Sequence, residues 1–125
     1  METGKEKVKM ARILGVCAST RHSSHTSILV NTALEAAKNC GAEVKLLDLR
    51  ATPLPIYDAD REYEDEKNVR AVLELVEWAD GFIVGSPEYH GCMSGAAKNF
   101  FDFHYREFGG KLFGLVCATG GSQGV

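Results

Sequence analysis

Proline is nearly missing from this sequence: three residues in 125, Pro53, Pro55 and Pro87. Most of the chain is therefore open to regular hydrogen bonding, and the prolines mark where it is interrupted. No apolar run approaches the roughly 20 residues that a helix needs to cross a bilayer, so no membrane partner is expected. Residues 1–12 carry no apolar core, so they are expected to be a polar tail over 1–10 rather than a secretory signal. Met10 is an alternative start, and a single domain is expected over 11–125. Neither charge sign dominates. With 14 basic and 17 acidic residues the formal charge is −3, which gives no basic face for nucleic acid, and no nucleic-acid partner is expected. The four cysteines, Cys17, Cys40, Cys92 and Cys117, form no C-x-x-C pair, and no histidine stands at a ligand spacing from any of them. Reduced thiols, no metal and a cytoplasmic setting are the expectation. Cys17 and Cys117 sit in apolar runs, where a thiol acts as a small hydrophobe.

What is present is an alternation of two periods. Residues 11–18 (ARILGVCA) are a short continuous apolar run, the texture of a strand covered on both faces. Val30, Ala33, Leu34 and Ala37 then recur as one helical face, which Gly41 closes. Residues 43–49 give a second strand. The proline-containing and then acidic stretch 50–66 reads as a solvated loop. Val69, Val72, Leu73 and Val76 form a second helical face, and residues 81–86 (GFIVGS) a third strand. A third helix is expected after Ser94, with Ala97, Phe100, Phe101 and His104 on one side. Residues 111–118 (KLFGLVCA) form a fourth strand. This βαβαβαβ order implies an α/β fold with a parallel sheet and helices on both faces. Ligands in such sheets lie beyond the carboxyl ends of the strands, where strand order reverses.

Three polar loops follow strands one, three and four. The first, residues 19–27 (STRHSSHTS), brings hydroxyls and Arg21 to a helix N-terminus, where unpaired N–H groups and the helix dipole favour an anion. It has neither G-x-x-x-x-G-K-[ST] nor G-x-G-x-x-G, so it is neither a P-loop nor a dinucleotide fingerprint. Ser23 or Ser24 capping the helix explains one serine and leaves the rest of the cluster unexplained. The second loop, residues 87–95 (PEYHGCMSG), places Tyr89 and His90 to flank a flat ring, and Gly91 and Gly95 let backbone approach it. Cys92 is either a structural thiol or a reactive one near a helix start. The third, residues 119–124 (TGGSQG), offers further backbone donors.

These segments resemble, in order, the motifs of the NADPH-dependent FMN reductase family of flavodoxin-like proteins. Residues 18–26 are similar to its phosphate loop G-S-x-R-x-x-S-x-T, with Ala18 in place of the glycine. Ser86, Pro87, Glu88 and Tyr89, then Gly95, Lys98, Asn99 and Asp102, follow its flavin-ring motif. Ala79, Asp80, Gly81 and the Gly110–Lys111 pair agree with it as well. The resemblance implies a flavodoxin-like parallel sheet of order 2-1-3-4, with FMN as cofactor and NADPH or NADH as electron donor. Ser19, Arg21, Ser24, His25 and Thr26 would hold the phosphate. Pro87, Glu88, Tyr89, His90 and Gly91 would line the isoalloxazine mostly through backbone, and Thr119, Gly120 and Gly121 would meet its other edge. Lys98, Asn99 and Asp102 would fix loop and helix. Residues 51–63 lack the cysteines of iron–sulfur relatives, so no cluster is expected.

Family members continue into a fifth strand and a last helix, so the domain is expected to be incomplete at its C-terminus, with strand four an open edge. The implied activity is electron transfer from the nicotinamide through FMN to a small acceptor (a flavin, a quinone or an azo compound), in a dimer or tetramer. No acid–base residue is assigned. The alternatives are an FMN-binding electron carrier, favoured by the acidic run 58–66, and an inactive remnant.

Overall fold

In the computed structural model, residues 9–121 are described. Most of the expected tail, residues 1–8, and Ser122, Gln123 and Gly124 of the third loop lie outside them. The first strand, β1 (Arg12–Cys17), is central. It pairs in parallel with β2 (Glu43–Asp48) on one side and with β3 (Gly81–Tyr89) on the other. On the far side of β3 lies a further parallel strand, here β5 (Leu112–Ala118). The parallel order β2-β1-β3-β5 is the expected 2-1-3-4 arrangement. One addition was not foreseen. A two-residue strand, β4 (Cys92–Met93), folds back antiparallel on the end of β3.

Alternation along β1 and β3 decides which helix goes where. Gly15 and Gly85 point to the face covered by α1 (His25–Asn39), whose Val30 and Leu34 occupy the space a Cβ would need. A Cβ on Gly85 would stand 2.3 Å from Val30 Cγ2, so the helix sits close because that residue has no side chain. The intervening Leu14, Val16, Phe82 and Val84 point the other way. They form the main core with Val72 and Val76 of α2 (Lys67–Trp78) and Phe100 of α3 (Gly95–Asp102). Gly41, at φ 97°, stops α1 in the left-handed region that glycine tolerates.

The third helix is shorter than its periodicity suggested and ends before His104. A 3-10 turn (Arg106–Phe108) follows and brings Phe108 against Phe82, Phe100 and Phe113, at ring distances of 5.5, 5.9 and 5.2 Å. His104 is buried in this aromatic layer, its Nδ1 donating to the Phe100 carbonyl at 3.0 Å. At the amino ends of the strands, away from the loops of interest, Asp80 accepts from the Arg12 backbone N–H at 2.9 Å and pairs with its guanidinium. Lys111 Nζ donates to the Val76 carbonyl at the end of α2, 2.8 Å away, which accounts for the lysine at the entry to β5.

β5 departs most from an interior strand. Among the described residues it pairs only with β3, and Leu112 and Leu115 are 81% and 74% exposed. Cys117 is exposed for the same reason, whereas Cys17 is buried as expected. No disulfide joins cysteines among the described residues.

Candidate cofactor site

The carboxyl ends of β1, β3 and β5 open onto one cleft of about 810 Å3, within the ~300–1,000 Å3 typical of small-molecule sites. Its first wall is the loop after β1. Ser24 is the N-cap of α1, its hydroxyl accepting from the Ser27 N–H at 3.1 Å. Capping therefore accounts for one serine, and the remaining polar groups still line the cleft. Ser19, buried at 3% exposure, accepts from the Arg21 N–H at 3.3 Å and bends the chain toward the helix. Thr26 is also buried, with its methyl beside Gly85, while Arg21 and His25 are exposed at the mouth. No acidic residue occupies the first turn of α1, so the positive end of the helix dipole is unopposed. Arg50 braces this loop from the β2 side, donating to the Thr20 carbonyl at 2.7 Å.

The opposite wall belongs to β3 and β5. Pro87, Glu88 and Tyr89, expected in a loop, are the last residues of strand β3. The ladder with β5 runs as far as Pro87 opposite Ala118, which carries these residues into the sheet. The turn is consequently tighter and farther out than foreseen. His90 and Gly91, at φ 55° and 74°, make the two-residue connection from Tyr89 to Cys92, the positive-φ pair of a type I′ hairpin. His90 and Gly91 lie at this tip and not in the cleft lining, and Gly121 lies outside it too; Thr119 and Gly120 are part of it. Glu88 faces both neighbours. Its carboxylate accepts from the Gly91 N–H and from the Thr119 hydroxyl, each at 2.8 Å, and these donors, with lesser help from His90, hold it below the usual glutamate range.

Two lining residues went unnoticed in the sequence. Ile28 and Leu29, on the first turn of α1 but off its buried face, line the cleft as exposed apolar groups. Their departure from the Val30–Leu34 stripe was the available signal. Ser94 caps α3 through the Ala97 N–H at 3.1 Å and donates to the Ala18 carbonyl at 2.7 Å, joining the second loop to the first. Asn99 accepts from the Tyr57 N–H and donates to the Pro55 carbonyl, both at 2.8 Å, pinning the long loop to α3. Lys98 and Asp102 pair with each other along the helix. Lys98, Asn99 and Asp102, the three side chains of this helix named by the motif, thus bond within the helix or to the long loop.

A helix N-terminus with hydroxyls and an arginine at one end, and a proline, a tyrosine and apolar side chains at the other, suit a ligand with an anionic tail and a flat ring. FMN has that chemistry. A cleft of this kind at the β1/β3 reversal of a parallel sheet defines a flavodoxin-like α/β protein. The family model described as NADPH-dependent FMN reductase matches residues 11–125, and the chain belongs to that family. An NADPH azoreductase of Bacillus sp. (strain OY1-2) is 39% identical over 83 residues, spanning 66% of this chain and 47% of that protein. An NAD(P)H:quinone oxidoreductase of Solanum tuberosum is 32% identical over 120 residues, 90% of this chain and 61% of that one. Among solved structures, the flavoenzyme FerB from Paracoccus denitrificans shares the fold, with a TM-score of 0.72 at 20% identity over 86% of this chain and 60% of that one. The chain thus spans about half to three fifths of the length of these relatives.

Proposed function

We propose that this chain is the FMN-binding part of an NAD(P)H-dependent oxidoreductase that passes electrons to a small acceptor (a flavin, a quinone or an azo compound). The observation that carries the reading is the single cleft joining the α1 N-terminus to the Pro87–Tyr89 end of β3 and the start of the β5 loop. Ser19, Arg21, Ser24, His25 and Thr26 are assigned to the phosphate; capping occupies one lone pair of Ser24 and leaves the other. Pro87, Glu88 and Tyr89 are assigned to the ring, with His90 and Gly91 shaping the turn behind it, and Thr119, Gly120 and Gly121 to its other edge. When bound, FMN supplies hydride acceptance and electron donation, and the protein supplies binding, orientation and electrostatics. Tyr89, about half exposed, offers a flat face on which a nicotinamide or an acceptor ring can stack.

The electron-carrier reading is weaker, because charges of the acidic loop are engaged within it: Arg61 pairs with Glu66 at 3.1 Å and Asp58 accepts from the Asp60 N–H. We further assign the protein to the cytoplasm, with no nucleic-acid or membrane partner and as a dimer or larger homo-oligomer, and read residues 11–125 as one flavodoxin-like FMN-binding domain. No helix among the described residues is long and apolar enough to cross a membrane, and the exposed Leu112 and Leu115 support self-association. The test is anaerobic mixing of the FMN-loaded chain with NADPH and, separately, NADH. Bleaching of the flavin absorbance by either is the expected result; an unreduced flavin with both contradicts the reading.

A further inference from the structure

The two segments at the ring end of the cleft are tied together by one side chain. The β3–β5 ladder has its last paired residues at Pro87 and Ala118. One residue farther along each strand, Glu88 Oε1 accepts from the Thr119 hydroxyl at 2.8 Å, so a side-chain bond takes over where the backbone ladder stops. Glu88 Oε2 accepts from the Gly91 N–H at 2.8 Å, and Thr119 Oγ1 accepts from the Gly121 N–H at 3.1 Å. A continuous chain of hydrogen bonds therefore runs from the β3–β4 turn through Glu88 and Thr119 to the loop after β5. Charge-assisted bonds of this type are the stronger ones, and removal of the acceptor leaves two donors without their partner.

We propose that Glu88 is a positioning residue of the cofactor site: its carboxylate sets the separation between the β3–β4 turn and the β5 loop, and so the shape of the ring end of the cleft, without acting on the phosphate end. The proposal rests on the reading that this chain binds FMN. Its consequence is selective. Loss of the carboxylate weakens any ligand that uses the ring end, whether or not it carries a phosphate. A glutamine retains the reach, accepting from the Gly91 N–H with its carbonyl and donating to the Thr119 oxygen with its amide.

The experiment is fluorescence-quenching titration of the full chain and of Glu88→Ala and Glu88→Gln with FMN and with riboflavin. Glu88→Ala is expected to weaken both flavins by the same factor, about tenfold, as for loss of one charge-assisted bond. Glu88→Gln is expected to stay within about threefold of the parent, as a neutral bond replaces a charged one. In the flavin-free chain, the Gly91 amide resonance should follow ionisation of Glu88, at a pH below the ordinary glutamate range, and this titration should vanish in Glu88→Ala while amides of Val16 and Val84 keep their protection. Should Glu88→Ala not fold, Thr119→Val removes, at constant shape, the bond to Glu88 and the acceptor of the Gly121 N–H, and is expected to weaken both flavins by about threefold. Equal affinity of parent and Glu88→Ala (or, in its place, Thr119→Val), or a loss confined to FMN, overturns the proposal alone. A parent chain that quenches neither flavin contradicts the FMN reading, and this one with it.

Discussion

His104 shows how one buried side chain couples stability to pH. Burial among Phe100, Phe103 and Phe108 pushes its pKa below the usual histidine value, against weaker opposing effects of the Phe100 carbonyl, Glu107 and Glu77. The unfolded chain takes up the proton first, so the contribution is complete above the unfolded value of roughly 6.5 and is lost as pH falls from there toward the folded pKa. The thermal midpoint of the parent should thus drop on acidification through this window more than that of His104→Asn, whose amide can still donate to the Phe100 carbonyl; parallel curves would contradict this. The sequence placed His104 on the face of a helix with Phe100 and Phe101, which gave its burial but not its position past the helix end. That the loop after β1 lines the cleft was legible because hydroxyls, an arginine and a helix start are local features. The role of Glu88 was not, since its partner Thr119 is 31 residues away and only sheet pairing brings them together.

The α1–sheet contact is the element whose geometry matters most for the cleft, because the loop proposed to take the phosphate leads into the α1 N-terminus. Gly85 permits that contact, and a Cβ there would meet Val30 Cγ2 at 2.3 Å, Thr26 Cγ2 at 3.1 Å and Val116 Cγ2 at 3.1 Å. Valine and threonine are stiff about χ1, so the helix must move rather than the side chain turn. Gly85→Ala should cost about 1–3 kcal/mol in chemical denaturation, the range for overpacking, and weaken FMN as well. Gly15→Ala should cost a similar amount, because a Cβ there would meet Leu34 Cδ1 at 2.5 Å, Leu34 Cγ at 2.9 Å and Val30 Cγ1 at 3.0 Å. Parent-like stability of Gly85→Ala would contradict the close approach at that residue. The helices and parallel strands were readable from their periods. The extension of β3 through Pro87 and the β4 hairpin were not, because proline and a run ending in glycine signal a loop when read without their strand partner.

For the whole molecule, the parallel order β2-β1-β3-β5 brings the ends of three strands to one cleft, and loops separated by up to a hundred residues act together. Among the described residues β5 pairs only with β3, and Leu112 and Leu115 are exposed on it. On the proposed function, this cleft holds FMN by its phosphate at the α1 N-terminus. Titration of the chain with FMN and with riboflavin tests it most directly, with Arg21→Ala beside the parent. Expected are quenching by FMN, much weaker quenching by riboflavin, and a loss on Arg21→Ala that falls on FMN alone, about tenfold for one charge-assisted contact. Equal quenching by the two flavins, or an Arg21→Ala chain that binds FMN as the parent does, would contradict it.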